Sequence, residues 1–113
     1  MQMITAVIRP HKYEDVREAL LRLGVQGLTV TQVSGFGRQR GQTEIYRGAE
    51  YQTNEVPKLR LEIAVPSELL SAVIEALQTA AQTGKTGDGK IFVHALDQVT
   101  RIRTGESDRS ALD

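Results

Sequence analysis

Leu59, Leu61, Ile63 and Val65 alternate with Arg60, Glu62 and Ala64. That two-residue period predicts a strand with one face buried. Met3–Arg9 repeats the pattern, with Ile4, Ala6 and Ile8 opposed to Met3, Thr5 and Val7, and Pro10 closes it. The period then changes: between Tyr13 and Leu23 the apolar residues Val16, Leu20 and Leu23 recur at helical spacing. Glu14 and Asp15 fall in the first turn, where the helix dipole favours acids. Gly24 and Gly27 bracket a turn before a β-branched stretch, Leu28–Val33. After Pro66 a second helical stripe runs through Leu69, Leu70, Val73, Ile74, Leu77 and Ala81, with Ser67 placed as its N-cap. Ile91–Leu96 reads as a fourth strand, and Val99–Thr104 as a final extended piece carrying Arg101 and Arg103 on the same side. The polar tail, residues 107–113, reads as loose.

One segment fits neither period. Residues 37–55 are charged and polar, with Ile45, Tyr46 and Tyr51 scattered through them. An insertion of this length without periodicity in a small domain is usually functional or disordered. The remaining order, β-α-β, long loop, β-α-β, predicts an α+β fold. It is the ferredoxin-like βαββαβ sandwich, an antiparallel sheet with both helices on one face. The other face still carries Val7, Val33 and Phe92. An apolar set left uncovered predicts a homo-oligomer.

Composition narrows the function classes. The 113 residues suffice for one domain, 1–113. Fourteen basic and fourteen acidic residues cancel, which argues against a nucleic-acid binder held by bulk charge. Cysteine is absent, so disulfides and thiolate metal sites are excluded. The opening apolar run is too short for a signal peptide, and no run reaches membrane-spanning length. These features together predict a cytoplasmic protein.

Candidate chemistry concentrates in "TGKTGDGK", Thr83–Lys90. From Gly84 it matches the phosphate pattern G-x-x-x-x-G-K, but Ile91 replaces the final Ser or Thr. A helix precedes the loop and a strand follows, the reverse of a P-loop, so the NTPase reading fails on context. The backbone chemistry survives. Gly84, Gly87 and Gly89 permit an anion nest, Lys90 adds charge, and Arg101 with Arg103 suits polyphosphate. A plain solvated turn between helix and strand fits the spacing equally well.

Gly35–Gly41, "GFGRQRG", has three residues where the dinucleotide fingerprint needs two, and no helix follows. An RNA-recognition sheet would need aromatics, which make up only 4% of the chain. His11 and His94 lack metal-ligand spacing, and Lys58 with Glu62 reads either as a solvated pair or as a cleft lining.

The motifs "GFGRQRGQTEIYRGAEY" (Gly35–Tyr51), "TGKTGDGKIFV" (Thr83–Val93) and "RIRTGE" (Arg101–Glu106) resemble those of the PII signal-transduction family of nitrogen regulators, the GlnB/GlnK type. The resemblance spans Met1 to about Glu106. It implies a homotrimer, a T-loop at 37–55, a B-loop at 82–90, and clefts between subunits where ATP and ADP compete. By resemblance, Gly87, Asp88, Gly89 and Lys90 wrap the phosphates, and Arg101 and Arg103 of the adjacent subunit complete the grip. Thr29, Gly35, Gly37, Arg38, Glu62 and Ala64 surround the nucleotide. Gln39 holds Mg²⁺, which bridges ATP to 2-oxoglutarate. Lys58, with Arg40, Gly41 and Gly87 nearby, meets the 2-oxoglutarate carboxylate.

The family's output is protein binding through the T-loop, to an ammonium transporter and to nitrogen-metabolism enzymes or a sensor kinase. Any membrane contact is thus indirect. Arg47 corresponds to the residue that enters a transporter pore, and Tyr51 to the tyrosine that a nucleotidylyltransferase modifies by uridylylation or adenylylation. Ala49 replaces the serine phosphorylated in other members, and Asn54 leans toward the GlnK type. His11, Arg40, Glu55 and Thr86 depart from the usual Phe, Lys, Phe and Ile. The rival readings are a slow ATPase in the same cleft, for which no water-positioning residue is evident, and a nucleotide-independent interaction module.

Overall fold

In the computed structural model the described residues are 1–36, 43–46, 49–52 and 55–112; within 43–46 and 49–52 only the backbone is described. Six strands and two helices follow one another along the described chain: β1 (Gln2–Ile8), α1 (Tyr13–Arg22), β2 (Thr29–Phe36), β3 (Thr43–Tyr46), β4 (Ala49–Gln52), β5 (Glu55–Val65), α2 (Leu70–Ala81) and β6 (Lys90–Ala95). Short 3-10 turns at Pro10–Lys12, Ser67–Leu69 and Asp108–Ala111 complete them. The main sheet runs β2-β5-β1-β6, every neighbour antiparallel. Each helix carries the chain over one intervening strand, which is the ferredoxin-like split β-α-β arrangement.

The predicted alternation sets the core. Ile4, Ala6 and Ile8 of β1 stand opposite Ile63, Leu61 and Leu59 of β5. With Val65 they meet Val16 and Leu20 of α1 and Val73, Leu77 and Ala81 of α2. The first helix ends as its glycine requires. Gly24, at φ +85°, donates to the Leu21 carbonyl and Val25 donates to that of Leu20, a Schellman closure. On the uncovered face, Thr29 pairs in register with Glu62, and Val7 with both Arg60 and Lys90. Val7 and Val33 are half-buried there and Phe92 is exposed.

Five details differ from the sequence reading. Strand β5 begins at Glu55 rather than Leu59, passing through Pro57. Proline is tolerated because the pairing with β1 ends at Ile8 and Leu59, so among the described residues β5 has a single neighbour there. The long polar insertion contains a hairpin, Thr43 opposite Gln52 through Tyr46 opposite Ala49. Its strands have four residues each, too short to show a period. Ser67 caps neither helical turn; its hydroxyl accepts from the amino group of Met1 at 3.0 Å.

Val99–Thr104 is not a strand. The chain reverses at Gly105, φ +74°, and the Arg101 N–H donates to the Glu106 carbonyl at 2.8 Å. Ile102 at this turn is fully exposed, and residues 107–112, read as loose, carry the last helical turn and an ion pair between Arg109 and Glu68.

Candidate functional site

The Gly-rich loop between α2 and β6 is organised around one carboxylate. Asp88 Oδ2 accepts the backbone N–H groups of Thr83 and Gly84, each at 2.8 Å, and Oδ1 accepts the Thr83 hydroxyl. Arg9, just beyond the end of β1, donates Nε to Asp88 Oδ1 at 3.0 Å and Nη2 to the Thr86 carbonyl at 2.9 Å. These contacts, the Thr83 hydroxyl foremost, hold the Asp88 carboxyl well below the usual carboxylate range. The side chain of Asp88 is therefore spent on shaping the loop.

The glycines do what side chains there cannot. Gly87 and Gly89 have φ of +102° and +101°. A Cβ on Gly89 would lie 1.7 Å from the Val7 carbonyl oxygen, so only glycine lets the loop pass this close to β1. Gly84, φ +86°, faces open space.

Beside the loop lies a cleft of about 580 Å³. Its lining joins β2 (Gly35, Phe36), β5 (Val56, Lys58), β1 (Val7) and the loop from Lys85 to Lys90. Lys58 is 7% exposed, and its ammonium donates to the Gly87 carbonyl. Burial, and secondarily the Arg9 guanidinium, pull the Lys58 pKa below its ordinary value, while Asp88 opposes them. A cation kept at this cost beside a glycine loop, with Lys90 at the rim, suits a dianionic or polyphosphate ligand. Gly35 allows the approach, since its Cβ position sits 3.4 Å from Lys58 Cγ.

The cleft thus gathers Gly35, Lys58, Gly87, Asp88, Gly89 and Lys90 from the sequence-predicted set. Thr29, Glu62 and Ala64 lie on the uncovered sheet face, Thr29 opposite Glu62, and Glu62 meets Arg60 at 3.6 Å. Lys58 therefore belongs to the cleft. Arg101 and Arg103 do not line it. Their segment is fastened at the other end of β1, where Leu96 donates to the Met1 carbonyl and Arg109 pairs with Glu68. A seven-residue strand sets the two ends roughly 20 Å apart.

Gly37, Arg38, Gln39, Arg40, Gly41 and Arg47 lie outside the described residues, and of Tyr51 the backbone alone is described, in β4. Among the described residues no group of His, Asp or Glu is arranged to hold a metal, and no helix is long and apolar enough to cross a membrane.

Arg9 is the residue that the sequence reading missed. The signal was topological: if β6 pairs with β1, the residue ending β1 must adjoin the loop that feeds β6.

One end of this ferredoxin-like sheet thus carries a glycine loop tied down by Asp88 and Arg9 beside the buried Lys58. The comparisons with known proteins give the family. The model of the family described as "Nitrogen regulatory protein P-II" matches residues 1–106. Nitrogen regulatory protein P-II of Rhizobium etli is 56% identical over 112 residues, 99% of this chain and 100% of the relative. Nitrogen regulatory protein GlnK of Escherichia coli K12 has the same identity and coverage, and Nitrogen regulatory protein P-II 1 of that strain is 53% identical over 112 residues, with coverage again 99% and 100%. The chain belongs to the nitrogen regulatory protein P-II family and is a nitrogen-regulatory signalling protein.

Proposed function

We propose that the protein senses ATP, ADP and 2-oxoglutarate at this cleft and reports them through its T-loop to nitrogen-metabolism targets, without itself being a catalyst. The observation that carries the reading is the construction of the loop from Thr83 to Lys90. Asp88 and Arg9 tie it down, and Gly89 packs against Val7 with no space for a side chain.

Gly87, Gly89 and Lys90 hold the phosphates in this reading, with Asp88 fixing the backbone that presents them. Gly35, Thr29, Glu62 and Ala64, with Gly37 and Arg38, take the rest of the nucleotide. Arg101 and Arg103 come from a neighbouring copy, because their own segment is fastened at the far end of β1. The homotrimer follows the family, and its interfaces would cover Val7, Val33 and Phe92. Mg²⁺, when bound, neutralises the charge between a triphosphate and a dicarboxylate. Gln39 is the residue proposed to hold it, and Lys58, with Arg40, Gly41 and Gly87, receives 2-oxoglutarate. Lys58 then exchanges the Gly87 carbonyl for a carboxylate, a stronger partner.

Arg47 and Tyr51 serve the output, the first toward an ammonium transporter and the second as substrate of a nucleotidylyltransferase. Calorimetry tests the core of the reading. Mg-ATP should bind, and 2-oxoglutarate should bind only when Mg-ATP is present. Equal 2-oxoglutarate binding without nucleotide or metal would refute the proposed site.

A further inference from the structure

The segment after β6 closes on itself as a strap. The Asp108 N–H donates to the Val99 carbonyl at 2.6 Å, Thr100 bridges Ser107, and the Arg101 N–H donates to the Glu106 carbonyl. Within this strap the Arg101 guanidinium is engaged at both ends. Nη1 donates to Glu106 Oε1 and Nη2 to the Ser110 carbonyl, each at 3.0 Å. Thr104 donates its hydroxyl to the same Glu106 oxygen at 2.8 Å and accepts the Glu106 N–H at 3.2 Å, which fixes the carboxylate in place.

This arrangement is that of an anion receptor filled by the chain's own oxygens. A phosphate group would ask for the same two nitrogens in the same fork geometry. Resting on the reading that Arg101 grips nucleotide phosphate in a neighbouring copy, we propose that Glu106 is an internal competitor for Arg101. It sets nucleotide affinity by occupying the guanidinium until phosphate displaces it.

A ligand whose phosphates take the Nη1–Nη2 edge of Arg101 must break the Arg101–Glu106 contact and loses that much affinity. A ligand without phosphates breaks nothing. Glu106 therefore lowers affinity for ATP and leaves adenosine unaffected. A residue that merely stabilised the strap would have the opposite sign, since loosening it would weaken ATP binding.

The test is calorimetry of ATP and adenosine on the full-length assembled protein, wild type against Glu106→Gln and Thr104→Val. Glu106→Gln should bind ATP roughly two- to fivefold more tightly, the worth of one half-exposed ion pair. Thr104→Val, which frees the carboxylate from its anchor, should shift ATP in the same direction by less. Adenosine affinity should not change in either. Unchanged or weakened ATP binding in Glu106→Gln, with wild type binding ATP normally, would overturn the competitor role alone. Absence of ATP binding by wild type would overturn the cleft reading and this proposal with it.

Discussion

Arg9 and Asp88 meet at 3.0 Å although they are 79 positions apart in the chain. The contact joins the end of the first strand to the loop before the last, and Arg9 also reaches the Thr86 carbonyl. Thr86 takes part through its backbone, and nothing in the structure explains its side chain. If the loop is a phosphate cradle, Arg9 positions it without touching the ligand. Arg9→Met should weaken ATP binding about tenfold, equivalent to ~1.4 kcal/mol. Arg9→Lys, which keeps the charge but not the two-point fork, should fall between. Titration calorimetry reads the affinity, and unaltered ATP binding in Arg9→Met would show that the loop holds its shape alone.

The glycines separate two causes of strain. Gly89→Ala meets both an unfavourable φ and the Val7 carbonyl, so β1 and β6 must part locally. Gly84→Ala meets only the φ cost, about 1–2 kcal/mol. Urea unfolding should therefore show Gly89→Ala to be the more damaging by at least ~2 kcal/mol. Equal losses would mean that the close approach to Val7 is easily relieved.

The two glycines also show how far the sequence could be read. The alternation of Leu59–Val65 and the stripe from Leu69 to Ala81 specify strand, helix and buried face, because burial acts on a local period. The need for glycine in the loop, met at Gly87 and Gly89 by positive φ, was legible from its composition. Its tie to Arg9 was not, because a contact across the sheet depends on strand order, which no local pattern encodes. The extended reading of Val99–Thr104 failed for a related reason. The alternation of Arg101 with Arg103 looks extended, while the Gly105 reversal and the Glu106 contacts come from the chain folding back.

Asp88 makes stability depend on pH at the acid end. Its folded-state pKa lies below the ordinary 3.8, so between the two values the unfolded chain binds more protons. Its contribution is complete above about pH 5 and is lost as pH falls through the folded value. The difference in urea midpoint between wild type and Asp88→Asn should be constant from about pH 7 to pH 5 and narrow toward pH 3. A gap that widens on acidification would mean that the carboxylate is not the ionised clamp described.

Lys58 carries an opposite trade. Its folded pKa is lowered chiefly by burial, so the charged form is penalised in the native state below its folded pKa. That penalty is relieved as pH rises from the folded pKa toward the ordinary 10.5. Lys58→Met removes the penalty together with the Gly87 contact, and the two should offset to within about 1 kcal/mol at neutral pH. Binding of 2-oxoglutarate in the presence of Mg-ATP should be lost in the same variant. Thermal unfolding and calorimetry on one preparation check both, and a collapse in stability would make Lys58 a structural residue first.

The separation of Arg101 from the cleft predicts a site shared between copies, and subunit mixing can test it. In the proposed site, Lys90→Ala removes a phosphate cation from the loop side, and Arg101→Ala removes one from the neighbour's side. Each homo-oligomer then lacks a contact at every cleft and should bind ATP about tenfold more weakly or worse. In a mixed assembly, the loop of an Arg101→Ala chain can face the strap of a Lys90→Ala chain. Both residues of that one cleft are then native. Unfolding and refolding the two variants together should restore a fraction of tight sites, readable as a high-affinity phase in an ATP titration. Sites built within one chain would give no such phase, because every chain in the mixture carries a defect.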